Sequence, residues 1–266
     1  MTACTSGLTK VILLLSIFLL WQCATYQAST IDKPIILFWC SYPDILTHMT
    51  HVASKVWVGD YAQNKNILHH QDTWIARGVI ALKWAAGVYH ASKSLSSIVE
   101  KWKQIYEKGA YAIQIDELIP QSEMVNEKFA KALELIKKAY PDRYLAVLHG
   151  SFLPDTLLQA YAKHVDLIIL ENYFTDQVLG WLIFSVNTER ARKGNIIKKT
   201  VFGLRITGEP WVKQKKYIDE QIAWIRKNAP EMPGIAFFAP KADQESLLGA
   251  EELAVFYFSH ESLNKK

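Results

Sequence analysis

Ala112-Ile113-Gln114-Ile115-Asp116-Glu117-Leu118 reads as a short buried strand that ends in two adjacent carboxylates. Side chains alternate along a strand, so Ile113 and Ile115 share one face while Gln114 and Asp116 share the other. Carboxylates at the end of an apolar strand are costly to bury without a purpose. The same design recurs along the chain: an apolar run, a polar or aromatic tip, then an amphipathic helix.

Working outward from that stretch, seven further strands are expected. Upstream lie residues 35–39 (IILFW), 55–58 (KVWV) and 78–84 (GVIALKW). Downstream lie residues 144–149 (YLAVLH), 166–173 (DLIILENY), 200–206 (TVFGLRI) and 234–239 (GIAFFA). Helices fall between them. Residues 94–106 carry Leu95, Ile98, Val99, Trp102, Ile105 and Tyr106 on one face at three- and four-residue steps, and Gly109 ends the run. Pro43 opens a first helix reaching residue 54, and residues 62–71 read as a loop before a short helix at 72–76. Ser122, Pro154, Asp176 and Trp211 stand at the start of later helices, and the helix after Asp176 should bury Val178, Leu179, Leu182, Ile183 and Val186. Eight apolar strands alternating with helices imply an α/β fold, the (β/α)8 TIM barrel, as a single domain. The rival, a doubly wound open sheet, calls for a glycine-rich first turn, and residues 40–45 (CSYPDI) contain no glycine.

The first residues have another character. Lys10 precedes an apolar run, residues 11–21, of about 11 residues, where a membrane span needs roughly 20. A secretion signal over residues 1–29 fits, leaving the barrel domain at 30–266 and a secreted, periplasmic or extracellular location. Cys23 offers the alternative of a lipid anchor at the cell surface, although Trp21 and Gln22 before it are not small. Cys40 is then the one cysteine of the mature chain, which excludes an intrachain disulfide. The 266 residues are 50% hydrophobic and 21% charged with a net charge of +4, and Lys and Arg are spread without a long basic run, so nucleic acid is not an expected partner.

In a barrel of this kind chemistry sits at the C-terminal ends of the strands. Those tips are Trp39 and Tyr42, Asp60, Lys83 and Trp84, Asp116 and Glu117, His149, Glu171 with Asn172 and Tyr173, and Arg205. Arg205 shares a face with Gly203 and should point inward; His149 shares one with Leu145 and Val147; alternation leaves Glu171 and Asn172 open. Two carboxyl groups facing one pocket are the minimum for glycoside hydrolysis, one protonating the leaving oxygen and the other attacking, activating water or stabilising the cation. Asp116, Glu117 and Glu171 form that catalytic set. Trp39, Tyr42, Trp84, Tyr173 and Trp211 can stack on sugar rings, and Asp60, Lys83, His149, Asn172 and Arg205 can meet hydroxyls. The expected partner is a carbohydrate, with no metal and no cofactor. Alternatives are a carbohydrate-binding barrel without catalysis, a metal-dependent hydrolase in which His69 and His70 would bind the metal while His48, His51 and His90 read with them as loop or helix residues, and a Schiff-base enzyme using an inward Lys83.

Residues 109–117 (GAYAIQIDE) and 166–173 (DLIILENY) resemble the acidic strands of glycoside-hydrolase-type barrels, chitinase-like barrels among them. The resemblance implies a sugar-cleaving barrel. It departs from the chitinase pattern, which carries alternating Asp residues before its Glu, because Tyr111 and Gln114 stand in that region. The Asn-Glu pair of another large sugar-hydrolase group is also missing from this strand.

Overall fold

A computed structural model describes residues 34–40, 55–60, 76, 79–87, 92–116, 122–150, 155–173 and 177–258. The chain divides into two units, Met1–Lys33 and Pro34–Lys266, and the described residues all belong to the second. The expected first helix, the loop at 62–71, and Tyr42 and Glu117 lie outside them.

Eight parallel strands close into a barrel in chain order: β1 (Ile35–Cys40), β2 (Lys55–Asp60), β3 (Ile80–Ala86), β4 (Ala112–Asp116), β5 (Tyr144–His149), β6 (Leu167–Glu171), β7 (Thr200–Arg205) and β8 (Gly234–Ala239). β8 pairs with β1 in register, Ile35 opposite Gly234, which seals the ring. A Cβ on Gly234 would fall 1.8 Å from the carbonyl oxygen of Ile35, so only glycine lets the strands meet there. Six described helices follow the later strands: α1 (Leu95–Glu107), α2 (Glu123–Ala139), α3 (Asp155–Ala162), α4 (Gln177–Lys193), α5 (Trp211–Asn228) and α6 (Gln244–Phe258).

Strand alternation sorts the core into two shells. Leu37, Trp39, Trp57, Leu82, Ala112, Ala146, Leu167, Ile169, Val201 and Ala236 fill the barrel. Ile36, Phe38, Ile113, Ile115, Leu145, Val147, Ile168, Phe202, Leu204 and Phe237 pack outward against the helices. Both faces of each strand are buried, which is why the strands read as nearly continuous apolar runs.

Local chemistry sets the joints. The Ser94 hydroxyl accepts from Ser97 N at 3.2 Å and caps α1. Gly109 ends the turn after that helix at φ +98°, a conformation that disfavours a side chain. Asp166, just before β6, accepts from Lys137 Nζ at 2.8 Å and from Leu145 N at 2.9 Å, tying α2 to the start of β5. On α4 the buried stripe is turned from the expected one: Ile183, Phe184, Thr188 and Ala191 face the barrel and Leu182 is exposed. The ring of Phe184 lies between Phe202 of β7 and Trp224 of α5 and fixes that rotation.

Candidate active site

β4 delivers Gln114 and Asp116 inward, as their alternation with Ile113 and Ile115 requires. Gln114 is buried, and its Oε1 accepts from Trp39 Nε1 at 2.5 Å. Asp116 Oδ2 accepts from Trp84 Nε1 at 2.7 Å. Two indoles from β1 and β3 are thus held by two polar groups of one strand. Trp84 keeps part of its surface open, whereas Trp39 is 3% exposed and belongs to the barrel interior. Trp39 therefore supports the site from below and offers no open stacking face in this structure.

β6 contributes the other carboxylate. Leu167 and Ile169 fill the barrel, so Glu171 points inward by the same alternation. Glu171 pairs in register with Gly203 of β7. Tyr173, two residues on, stacks on Phe238 of β8 with ring centroids 4.9 Å apart. Its ring passes over Gly203, where an added Cβ would sit 3.4 Å from Cε1. On the other side of β6, a Cβ on Gly150 would come within 2.9 Å of Glu171 Oε2. Gly150, just beyond β5, and Gly203 on β7 thus leave the room that Glu171 and Tyr173 occupy.

The phenol of Tyr173 reports what surrounds it. Its pKa is pushed well above the ordinary tyrosine value, first by burial, then by the negative charges of Glu171 and Asp116, and by a hydrogen bond to the Glu171 carboxylate. Arg205 acts on it in the opposite direction. Glu171 of β6 thus hydrogen-bonds this hydroxyl, and the charges of Asp116 on β4 and Arg205 on β7 act on it from inward positions at their strand tips. Arg205 is exposed at the tip of β7, on the same face as Val201 and Gly203, so it stands at the mouth.

Four expected site residues are placed elsewhere. Lys83 alternates with Ala81 and Ala85, which pack toward the helices, so Trp84 takes the inward position and Lys83 does not. That orientation removes the basis for an imine formed inside the barrel. His149 is fully buried and stacks on Tyr161 of α3 at 5.7 Å, behind the barrel wall. Asn172 continues the outward face of Ile168 and Leu170 and is 1% exposed. Trp211, at the start of α5, lies in the outer shell against Gly249 of α6. Asp60 pairs with Cys40 at the tips of β2 and β1; its side chain lies outside the described residues. So do His48, His51, His69, His70 and His90, and among the described residues no three His, Cys, Asp or Glu side chains gather as a metal site.

Gln114, Gly150 and Phe238 were not among the expected site residues. For Gln114 and Phe238 a signal existed in strand phase, since Gln114 alternates with two isoleucines and Phe238 shares a face with Ala236. Gly150 carries no such mark, because its role is the space it leaves.

No family model matches the chain, and no curated protein matches it. Solved structures do match in fold. An endo-β-N-acetylglucosaminidase from Cordyceps militaris superposes with a TM-score of 0.60 at 10% identity, over 85% of this chain and 91% of the other. A chitinase domain from Pyrococcus furiosus, solved with chito-oligosaccharides, gives 0.57 at 11% identity over 88% and 97%. A chitinase-like agglutinin from Robinia pseudoacacia gives 0.59 at 12% identity over 84% and 99%. The chain thus has the (β/α)8 barrel found in these glycosidase and agglutinin structures.

Proposed function

We propose that the protein is a glycoside hydrolase acting on a poly- or oligosaccharide, with Asp116, Glu117 and Glu171 as its acid/base and charge-stabilising carboxyl groups. The observation that carries this reading is that Asp116 of β4 and Glu171 of β6 both point into the barrel at its mouth, where Glu171 hydrogen-bonds the phenol of Tyr173 and the charge of Asp116 also acts on it. Hydrolysis of a glycosidic bond needs two carboxyl groups across the scissile bond. One gives its proton to the leaving oxygen as the C–O bond breaks. The other meets the positive charge that develops on the sugar, as nucleophile or through a water. Trp84 fixes the Asp116 carboxylate through one oxygen. The phenol of Tyr173 keeps its proton and donates a hydrogen bond to Glu171, which holds that carboxylate in place. Arg205 supplies positive charge at the mouth and a donor for sugar hydroxyls. The open part of Trp84 offers an apolar face for the C–H side of a sugar ring.

Residues 1–29 act in this reading as a secretion signal, with lipidation at Cys23 as the alternative mode of export. A non-catalytic sugar-binding barrel is the second reading. It is favoured by the agglutinin that shares the fold at similar likeness. Incubation of the secreted protein with a panel of polysaccharides, with product analysis, separates the two. Release of new reducing ends supports hydrolysis; binding without any product supports the lectin-like reading.

A further inference from the structure

The end of the barrel opposite the mouth is basic. Helices α1 to α5 end there, just before the strands that follow them. Their last turns and the connections beyond carry Lys108, Lys138, Lys163, Lys193, Lys198 and Lys227. All six are exposed, and none forms an ion pair among the described residues. Exposed described carboxylates at this end do little to offset them. Glu231 is bridged to Arg192 at 2.9 Å, Glu107 lies 4.0 Å from Lys103, and Asp142 alone stands outside any ion pair. The helix dipole favours cations at helix C-termini, which accounts for some of the placement. It does not account for Lys198, which lies in the short 3-10 turn Ile197–Lys199 beyond α4.

We propose that this basic end docks on an anionic lipid surface, holding the barrel with its mouth directed away from the bilayer. The charges are lysines distributed over five successive connections around a closed ring. Lysine is a point charge without the planar fork that reads phosphates in pairs. A dispersed ring of such charges suits a broad negative surface better than a groove or a base stack, which nucleic-acid recognition requires. The inference does not rest on the sugar chemistry and stands or falls apart from it.

The test is co-sedimentation of the full chain with two kinds of vesicle, phosphatidylcholine alone and phosphatidylcholine with phosphatidylglycerol in equal parts. Two triple variants are compared: Lys138→Glu, Lys163→Glu and Lys198→Glu at the basic end, and Lys101→Glu, Lys131→Glu and Lys215→Glu on the flanks. The basic-end variant should lose at least about tenfold in partitioning onto anionic vesicles, given the attraction each lysine near such a surface contributes. The flank variant should keep wild-type partitioning, and raised salt should abolish the difference between the two. If the basic-end variant does not fold, the corresponding Lys→Gln changes replace it with the same expectation. Equal loss in both variants, or none in either, would overturn the proposal. So would salt-sensitive binding to duplex DNA that exceeds vesicle binding and is lost in the basic-end variant.

Discussion

Trp84 donates its indole N–H to Asp116 Oδ2 across 2.7 Å, from β3 to the neighbouring β4. Lys83, one residue earlier, faces the other way. The bond fixes the rotamer of a carboxylate without cancelling its charge, because the donor is neutral. Replacing Trp84 with Phe keeps most of the ring and removes the donor. Hydrogen bonds to charged groups contribute about 1.5–3 kcal/mol, so kcat/KM on a cleaved polysaccharide should fall by about 10- to 100-fold. Thermal unfolding followed by circular dichroism should show a Tm close to wild type.

Gly150 gives a second handle on the site. Its missing Cβ leaves the space in which Glu171 Oε2 lies, 2.9 Å from where that carbon would be. Gly150→Ala should push the carboxylate aside, since the end of a flexible side chain yields before the strand does. Turnover should drop by at least about tenfold from the displaced group, while stability changes by about 1 kcal/mol or less. Urea unfolding alongside kinetics checks both halves.

Tyrosines make the fold sensitive to alkali. Burial is the first cause that raises the pKa of Tyr106, Tyr161 and Tyr173 above the ordinary 10.0. Tyr106 also feels Asp166, and it donates to the Tyr144 carbonyl at 2.6 Å. In the unfolded chain these phenols ionise near pH 10, while in the folded one they keep their protons. The folded state therefore binds more protons, and its stability is full below pH 10 and falls as pH rises beyond it. Tyr106→Phe should flatten that alkaline slope. At neutral pH it should cost about 1 kcal/mol for the lost hydrogen bond. Urea unfolding at a series of pH values reads both effects.

Asp166 joins three parts of the chain through Lys137 and the Leu145 amide, with its side chain 30% exposed. Asp166→Ala removes acceptors from a backbone N–H and an ammonium at once. The expected loss is about 1–3 kcal/mol of stability with little effect on turnover, because the residue lies at the far end of the barrel from the mouth. Chemical unfolding paired with an activity assay checks it.

Much of this architecture was legible in the sequence because strand tips and helix stripes alternate along the chain. Phase was readable in β4 and β7, where polar Gln114 and Asp116, or Gly203 and Arg205, contrast with aliphatic neighbours. It was not readable in β3, where residues 78–84 are apolar on both faces and the strand starts two residues later, at Ile80. That ambiguity admitted an inward Lys83 beside Trp84, whereas alternation in the sheet allows only one of the two neighbours to point inward. In β6 the run from Leu167 to Leu170 is apolar throughout, and the choice between Glu171 and Asn172 needed the burial of Leu167 and Ile169 inside the barrel. His149 shares its face with Leu145 and Val147, which marks it as facing the helices; its position at a strand tip had suggested the mouth. Trp211 starts a helix beyond a strand tip, and only the notch at Gly249 shows where its ring goes.

The central claim is that Asp116 and Glu171 act together on a glycosidic bond. Its most direct measurement is reducing-end release by wild type, Asp116→Asn and Glu171→Gln on whichever polysaccharide the wild type cleaves, with binding of the same polymer measured in parallel. The account predicts a loss of at least about a hundredfold in kcat for each variant, with binding kept within a few-fold. Wild-type turnover in both variants, or binding by the wild type with no cleavage of any polymer, would contradict it.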